Sequence, residues 1–169
     1  MWLVLRLYLG YEWFVAGYHK LGNPAWTQTG EALKAYWTRA VVTSPKPPIS
    51  FDWYRSFIQY LLDTGSYSWF AKLVVFGELA VGVLLFLGAF TGIAAFLGGF
   101  MNFNFMMAGS ASTNPLLFTI SIFLILAWKV AGYYGLDRWL LPAVGTPWRP
   151  HEREEGGVAA RQRRPARGT

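Results

Sequence analysis

The chain has 169 residues, enough for one domain, and is 54% hydrophobic and 18% aromatic against only 14% charged, well below the roughly one quarter charged that soluble domains carry. It holds no cysteine, which excludes disulfides, thiol redox chemistry, iron–sulfur clusters and thiolate metal sites, and its two histidines, His19 and His151, are too few for a zinc or bis-histidine haem centre. Six of the arginines behind the net charge of +6 fall in a tail, between Arg149 and Arg167. There they suit anionic lipid headgroups better than nucleic acid.

Four stretches are long and apolar enough to cross a bilayer, which takes about 20 residues. The first, Trp2 to Gly22, is interrupted by Arg6, Glu12, His19 and Lys20. It lacks the basic leader and small-residue exit of a secretory signal, so it reads as a retained helix. In the long connection that follows, "QTGEALKAYWTRAVV" sets Leu33, Tyr36, Trp37, Ala40 and Val41 on one helical face. "SPKPPIS" then breaks the chain, and "FDWYRSFIQYLLD" aligns Tyr54, Phe57, Ile58 and Leu61. Both amphipathic pieces are too short and too charged to span. They lie on the membrane surface or fold over the bundle as a lid.

Trp69 to Phe90 is the second span, polar only at Lys72 and Glu78. A Thr91–Gly92 turn leads to the third, ending at Gly109 and polar only at Asn102 and Asn104. Pro115 to Tyr134, with Lys129 near its end, is the fourth. "GLDRWLLPAVGTPW" follows as a short interfacial piece anchored by Trp139 and Trp148, and residues 149–169 form a disordered basic tail. The expected fold is all-α: an antiparallel four-helix membrane bundle over residues 1–148, with short amphipathic helices in its first connection. An even number of spans puts both termini on one side of the membrane. Arg138 and the six tail arginines, against six Lys and Arg on the long connection and its flanks, favour the cytoplasm for them.

Ionisable groups facing lipid cost about 2.5–3.5 kcal/mol each on insertion scales, so those inside the spans are expected to point inward. Counted from the outer ends of their helices, Glu12, Glu78 and Asn102 fall in one layer, with His19 on the Glu12 face nearer the outside. Arg6 and Lys129 fall in a second layer near the cytoplasmic side. Gly82, Ala95, Gly98 and Gly99 allow close helix approach around these groups. Two carboxyls at one depth cannot both ionise cheaply, an arrangement that suits proton exchange as well as a structural carboxyl–carboxyl or Glu–Arg pair. Asn102 fits helix–helix hydrogen bonding or contact with a ligand. Asn104, about 200° round the helix, cannot serve the same pocket and needs another partner. His19 and Lys20 fit either snorkelling to the interface or a site at the mouth of the bundle.

"LRLYLGYEWFVAGYHKL", "GELAVGVLLFLGAFTGIAAFLGGFMNFNFMMAGSASTNPLL" and "LAWKVAGYYGLDRWLLP" together resemble the DoxX family. This group includes DoxD, the small membrane subunit of thiosulfate:quinone oxidoreductase. The resemblance runs from Leu3 to Trp148 and implies a four-helix bundle in a prokaryotic cell membrane. Its implied activity is the passage of electrons from thiosulfate to quinone, with a second oxidoreductase subunit as partner. Further copies of the chain are open as partners too.

On that footing the residues divide into roles. Glu12 and Glu78 handle protons, and His19 or Asn102 hydrogen-bonds a quinone carbonyl. Lys20 and Lys72 attract the thiosulfate dianion. Quinone is the expected co-substrate, and no metal site is expected. Two other classes stay open: a non-catalytic anchor or scaffold for redox enzymes, and a small-solute or proton carrier built on the glutamate layer.

Overall fold

The computed structural model describes residues 1–43 and 46–146, and every regular element among them is a helix. In chain order these are α1 (Trp2–Leu21), α2 (Pro24–Thr27), α3 (Glu31–Ala40), α4 (Asp52–Asp63), α5 (Tyr67–Leu87), α6 (Thr91–Met107), α7 (Asn114–Leu126), α8 (Trp128–Gly132) and α9 (Asp137–Ala143). The expected tail and the Trp148 anchor lie outside the described residues.

Small residues set how the long helices meet. A Cβ on Gly82 of α5 would lie 2.6 Å from the Phe14 nitrogen, and one on Gly17 of α1 would lie 2.8 Å from Leu79 Cγ. The backbones of α1 and α5 therefore touch along an antiparallel seam. Against α6, Gly77 faces Met101 and Val81 faces Gly98. The expected close approach is present at Gly82, Gly98 and Gly99, and Ala95 is buried with them.

Two apolar cores result. One gathers Leu9, Trp13, Val81, Leu85, Ile120 and Leu124 between α1, α5, α6 and α7. In the other, Leu33 and Trp37 of α3 and Tyr54 and Ile58 of α4 close over Ala71 and Ala108. The connection is thus a packed cap on the ends of α5 and α6. Its inner face differs from expectation at one position, since Phe57 is 46% exposed while Tyr54, Ile58 and Leu61 are buried.

Of the four expected spans, α5 alone among the described helices is both long and apolar enough to cross a membrane. Four ionisable side chains interrupt α1, and α6 has 17 residues. The expected fourth span breaks at Ala127 into α7, of 13 residues, and α8. The break is local, because the Ala127 amide still donates to Phe123 O (3.0 Å) and that of Ala131 to Ala127 O (2.8 Å).

The turn expected at Thr91–Gly92 lies earlier, at Gly88–Phe90, and Thr91 already belongs to α6. Gly88 ends α5 at φ 64°, the left-handed conformation glycine adopts freely. Phe90 holds φ 48° without that freedom. Its amide donates to Asp137 Oδ1 at 2.6 Å and the next, from Thr91, to Oδ2 at 2.8 Å. A buried carboxylate on α9 therefore fixes the turn and occupies the free amides at the start of α6. The neighbouring guanidinium of Arg6, 2% exposed, donates to the carbonyls of Ala131 (2.8 Å) and Tyr134 (2.9 Å), which have run out of helical partners.

Candidate functional site

Glu78 sits midway along α5 with 1% of its surface exposed. A carboxylate there needs a partner, and no other ionisable side chain lies nearer on its own helix than Lys72. The partner comes from α1. With Gly17 seated on Leu79, the last turn of α1 passes beside Glu78, and Lys20 Nζ donates to its two oxygens at 2.7 and 2.6 Å. The lysine side chain keeps 22% exposure and passes 5.3 Å from the Trp26 ring of α2. The pair thus joins a buried acid to the surface. It is the one ion pair between different helices among the described residues, since Lys34–Glu31 and Arg55–Asp52 are both i,i+3 pairs.

Asn102 is also fully buried, on the face of α6 that carries Ala95, Gly98 and Gly99. Gly77 faces Met101, so Glu78 and Asn102, each the next residue along, occupy neighbouring levels of the α5–α6 pair. Neither amide atom of Asn102 has a hydrogen-bond partner, and the same holds for the buried indole nitrogen of Trp13.

Asn104 does find the separate partner its direction requires. The Tyr54 hydroxyl of α4 donates towards its Oδ1 (3.1 Å) and carbonyl (3.2 Å), and Nδ2 donates to Phe100 O (2.8 Å). Burial pushes the Tyr54 hydroxyl from 10.0 up to about 12, with the neighbouring Tyr36 adding to the shift. Burial also raises Tyr36, whose hydroxyl donates to Phe105 O at 3.3 Å.

The other expected site residues are not brought together. Glu12 does not share the Glu78 layer: Gly17, not Glu12, lies level with Leu79, which leaves Glu12 about 8 Å away along α1. It is half-buried, and its side chain makes no ion pair or hydrogen bond among the described residues. His19 is exposed rather than turned inward with Glu12, and Lys72 is exposed on α5. Of the two lysines expected to attract an anion, Lys20 has its ammonium on Glu78. The expected second layer holds Arg6, whose charge feels Asp137, while Lys129 lies 5.6 Å from the Trp128 ring. Asp137 carried no sequence signal beyond a single acid in "GLDRW", and Trp13 none beyond its place in an apolar run.

A cavity of 160 Å³ opens where α6 meets the cap, lined by Pro48, Ser50, Phe51, Phe103, Met106 and Met107. Glu78, Lys20 and Asn102 are not in its wall.

The family model for DoxX matches residues 1–110. The chain belongs to the DoxX family. In this DoxX chain the match spans α1 to α6, so it includes Trp13, Lys20, Glu78 and Asn102, whereas Asp137 lies beyond it. Membership makes it a membrane protein of the DoxX type, in contact with the lipid bilayer. No curated protein and no solved structure matches it.

Proposed function

We propose that this protein is the membrane subunit of an oxidoreductase that passes electrons from a small sulfur compound such as thiosulfate to membrane quinone, with Glu78 as its proton-exchanging group. The observation that carries the reading is the Lys20–Glu78 pair: a carboxylate 1% exposed whose hydrogen bonds all come from one partly exposed side chain. Quinone reduction consumes protons with its electrons. A buried acid that can exchange its lysine for a proton supplies them at the depth where a quinone arrives from lipid. Lys20 is long and rotatable, so its ammonium can leave for water as the carboxyl takes up a proton.

The cysteine-free chain offers no thiolate centre, so the electrons enter through a second subunit. Exposed Lys72 is the cation left to draw a sulfur oxyanion. In this reading α1, α5, α6 and the α7–α8 pair cross the membrane as an antiparallel four-helix bundle with both termini cytoplasmic. The cap of α2, α3 and α4 covers its outer mouth.

The test is purification from native membranes in mild detergent, followed by assay of bound quinone and of thiosulfate-dependent quinone reduction. Turnover with a co-purified soluble subunit supports the reading. A tight partner without turnover makes the protein an anchor or scaffold, and solute or proton flux in liposomes without turnover makes it a carrier.

A further inference from the structure

Helix α4 carries three edges, and protein covers only one of them. Tyr54, Ile58 and Leu61 face the second core. Asp52, Arg55, Gln59 and Asp63 make a polar edge, tied along the helix by Arg55 Nη1 on Asp52 (2.6 Å) and Gln59 Nε2 on Asp63 (2.8 Å). The third edge is Trp53, Phe57 and Tyr60, at i, i+4 and i+7. Trp53 and Tyr60 are each 64% exposed, so this aromatic line is held out from the packed side of the helix. Trp and Tyr beside a polar edge are the side chains that settle at a membrane–water boundary.

That edge runs into a second apolar surface. On α6, Ile93, Phe96, Leu97, Phe100 and Phe103 are exposed on one face. The face ends at α4, where Asn104 takes the Tyr54 hydroxyl. Phe103 also walls the 160 Å³ cavity, as does Phe51, whose ring lies 6.5 Å from that of Trp53. The cavity is preformed. Ile49 is fully buried, its carbonyl accepts from Arg55 Nη2 at 2.8 Å, and a Cβ on Gly109 would lie 2.7 Å from Pro48 Cβ. Ser50 brings the one polar side chain to the wall. Apolar space of about 150 Å³ takes up benzene or xenon in preference to water. Met106 and Met107, unbranched and polarizable, adapt to a guest of variable shape.

We propose that this cavity seats a segment of one acyl chain of a bilayer phospholipid, with the Trp53–Phe57–Tyr60 edge of α4 lying in the membrane interface beside it. Methylenes ask for no hydrogen bonds, which matches a wall with one hydroxyl. They reach the cavity along the apolar face of α6, which is continuous with it through Phe103. The electron transfer proposed above plays no part in this seat.

The experiment uses the full chain in phosphatidylcholine vesicles. Because the chain holds no cysteine, a nitroxide on Phe57→Cys or Gln59→Cys reports one position only. Oxygen should relax the first more strongly, and a water-soluble nickel chelate the second. A chelate that relaxes both equally puts α4 in water and overturns the proposal.

The cavity is read with phosphatidylcholine bearing a diazirine within one acyl chain, by mapping adducts after photolysis. Adducts are expected at Phe51 and Met107 as well as at Phe96 and Phe100. Met106→Trp fills the cavity and should remove most of the first pair while sparing the second. If that variant does not accumulate, Ser50→Trp, at an exposed position in the same wall, takes its place. Adducts unchanged by filling come from surface contact and overturn the seat. So does their absence from Phe51 and Met107, and disulfide-linked pairs of Ser50→Cys chains would then make this face a contact between two copies. None of these readouts involves turnover, so failure of the proposed reaction and failure of the seat are distinguishable.

Discussion

Two buried charged clusters lie in the same assembly of helices and are built differently. Arg6 and Asp137 bond to the main chain: one donates to the carbonyls of Ala131 and Tyr134, the other accepts from the amides of Phe90 and Thr91. Moving either would expose several orphaned backbone groups at once. Glu78 takes its hydrogen bonds from the side chain of Lys20, itself 22% exposed. That bond can break and re-form without moving a helix. The first cluster fixes geometry, and the second is free to do chemistry.

The largest effect expected from this contrast is at Asp137. Asp137→Ala strips two amide donors of their acceptor and removes a charge that offsets buried Arg6, a loss of about 2–6 kcal/mol at about 1–3 kcal/mol for each unsatisfied group. Folded protein should then nearly vanish from detergent extracts run on a sizing column. A Glu78→Gln variant should elute as the natural chain does. Equal behaviour of the two would erase the distinction between the clusters.

A smaller effect is expected where the helices meet. Gly82→Ala drives a methyl against the Phe14 backbone, which overpacking data place at about 1–3 kcal/mol. By prising α1 from α5 it should also pull Lys20 off Glu78. A lower Tm together with weakened quinone reduction sharpens the comparison, whereas a lower Tm with full turnover separates the pair from the reaction.

The smallest effect concerns Tyr54, and it depends on pH. Its hydroxyl is raised from 10.0 to about 12 by burial. The folded state therefore favours the neutral form, a contribution fully present below pH 10 and lost as pH climbs to about 12. Tyr54→Phe should cost about 0.5–1.5 kcal/mol at neutral pH through the bond to Asn104, and should flatten the alkaline decline in Tm. An identical decline in both proteins would show that Tyr54 is not the group responsible.

Helix positions were largely legible because apolar runs and amphipathic spacing are local properties. α1 and α5 lie within three residues of the expected bounds at either end, and the inner faces of α3 and α4 follow from periodicity except at Phe57. The opposite directions of Asn102 and Asn104 were legible for the same reason, since they depend on rotation within one helix. Contacts between helices were not. Counting depth from helix ends put Glu12 beside Glu78, but the glycine seam shifts α1 by about five residues and delivers Lys20 instead. Asp137 was hidden because its partners are backbone amides, which no side-chain pattern announces.

The central claim is that Glu78 exchanges protons rather than sealing a joint. Steady-state quinone reduction by Glu78→Gln, with fold and partner shown intact, tests it most directly, because glutamine keeps the shape and hydrogen-bonding capacity without a titratable group. Loss of about 10²–10⁴-fold in turnover, with partial recovery in Glu78→Asp, is the predicted result. Full activity in Glu78→Gln would contradict the account and leave Glu12 of α1 as the acid to test.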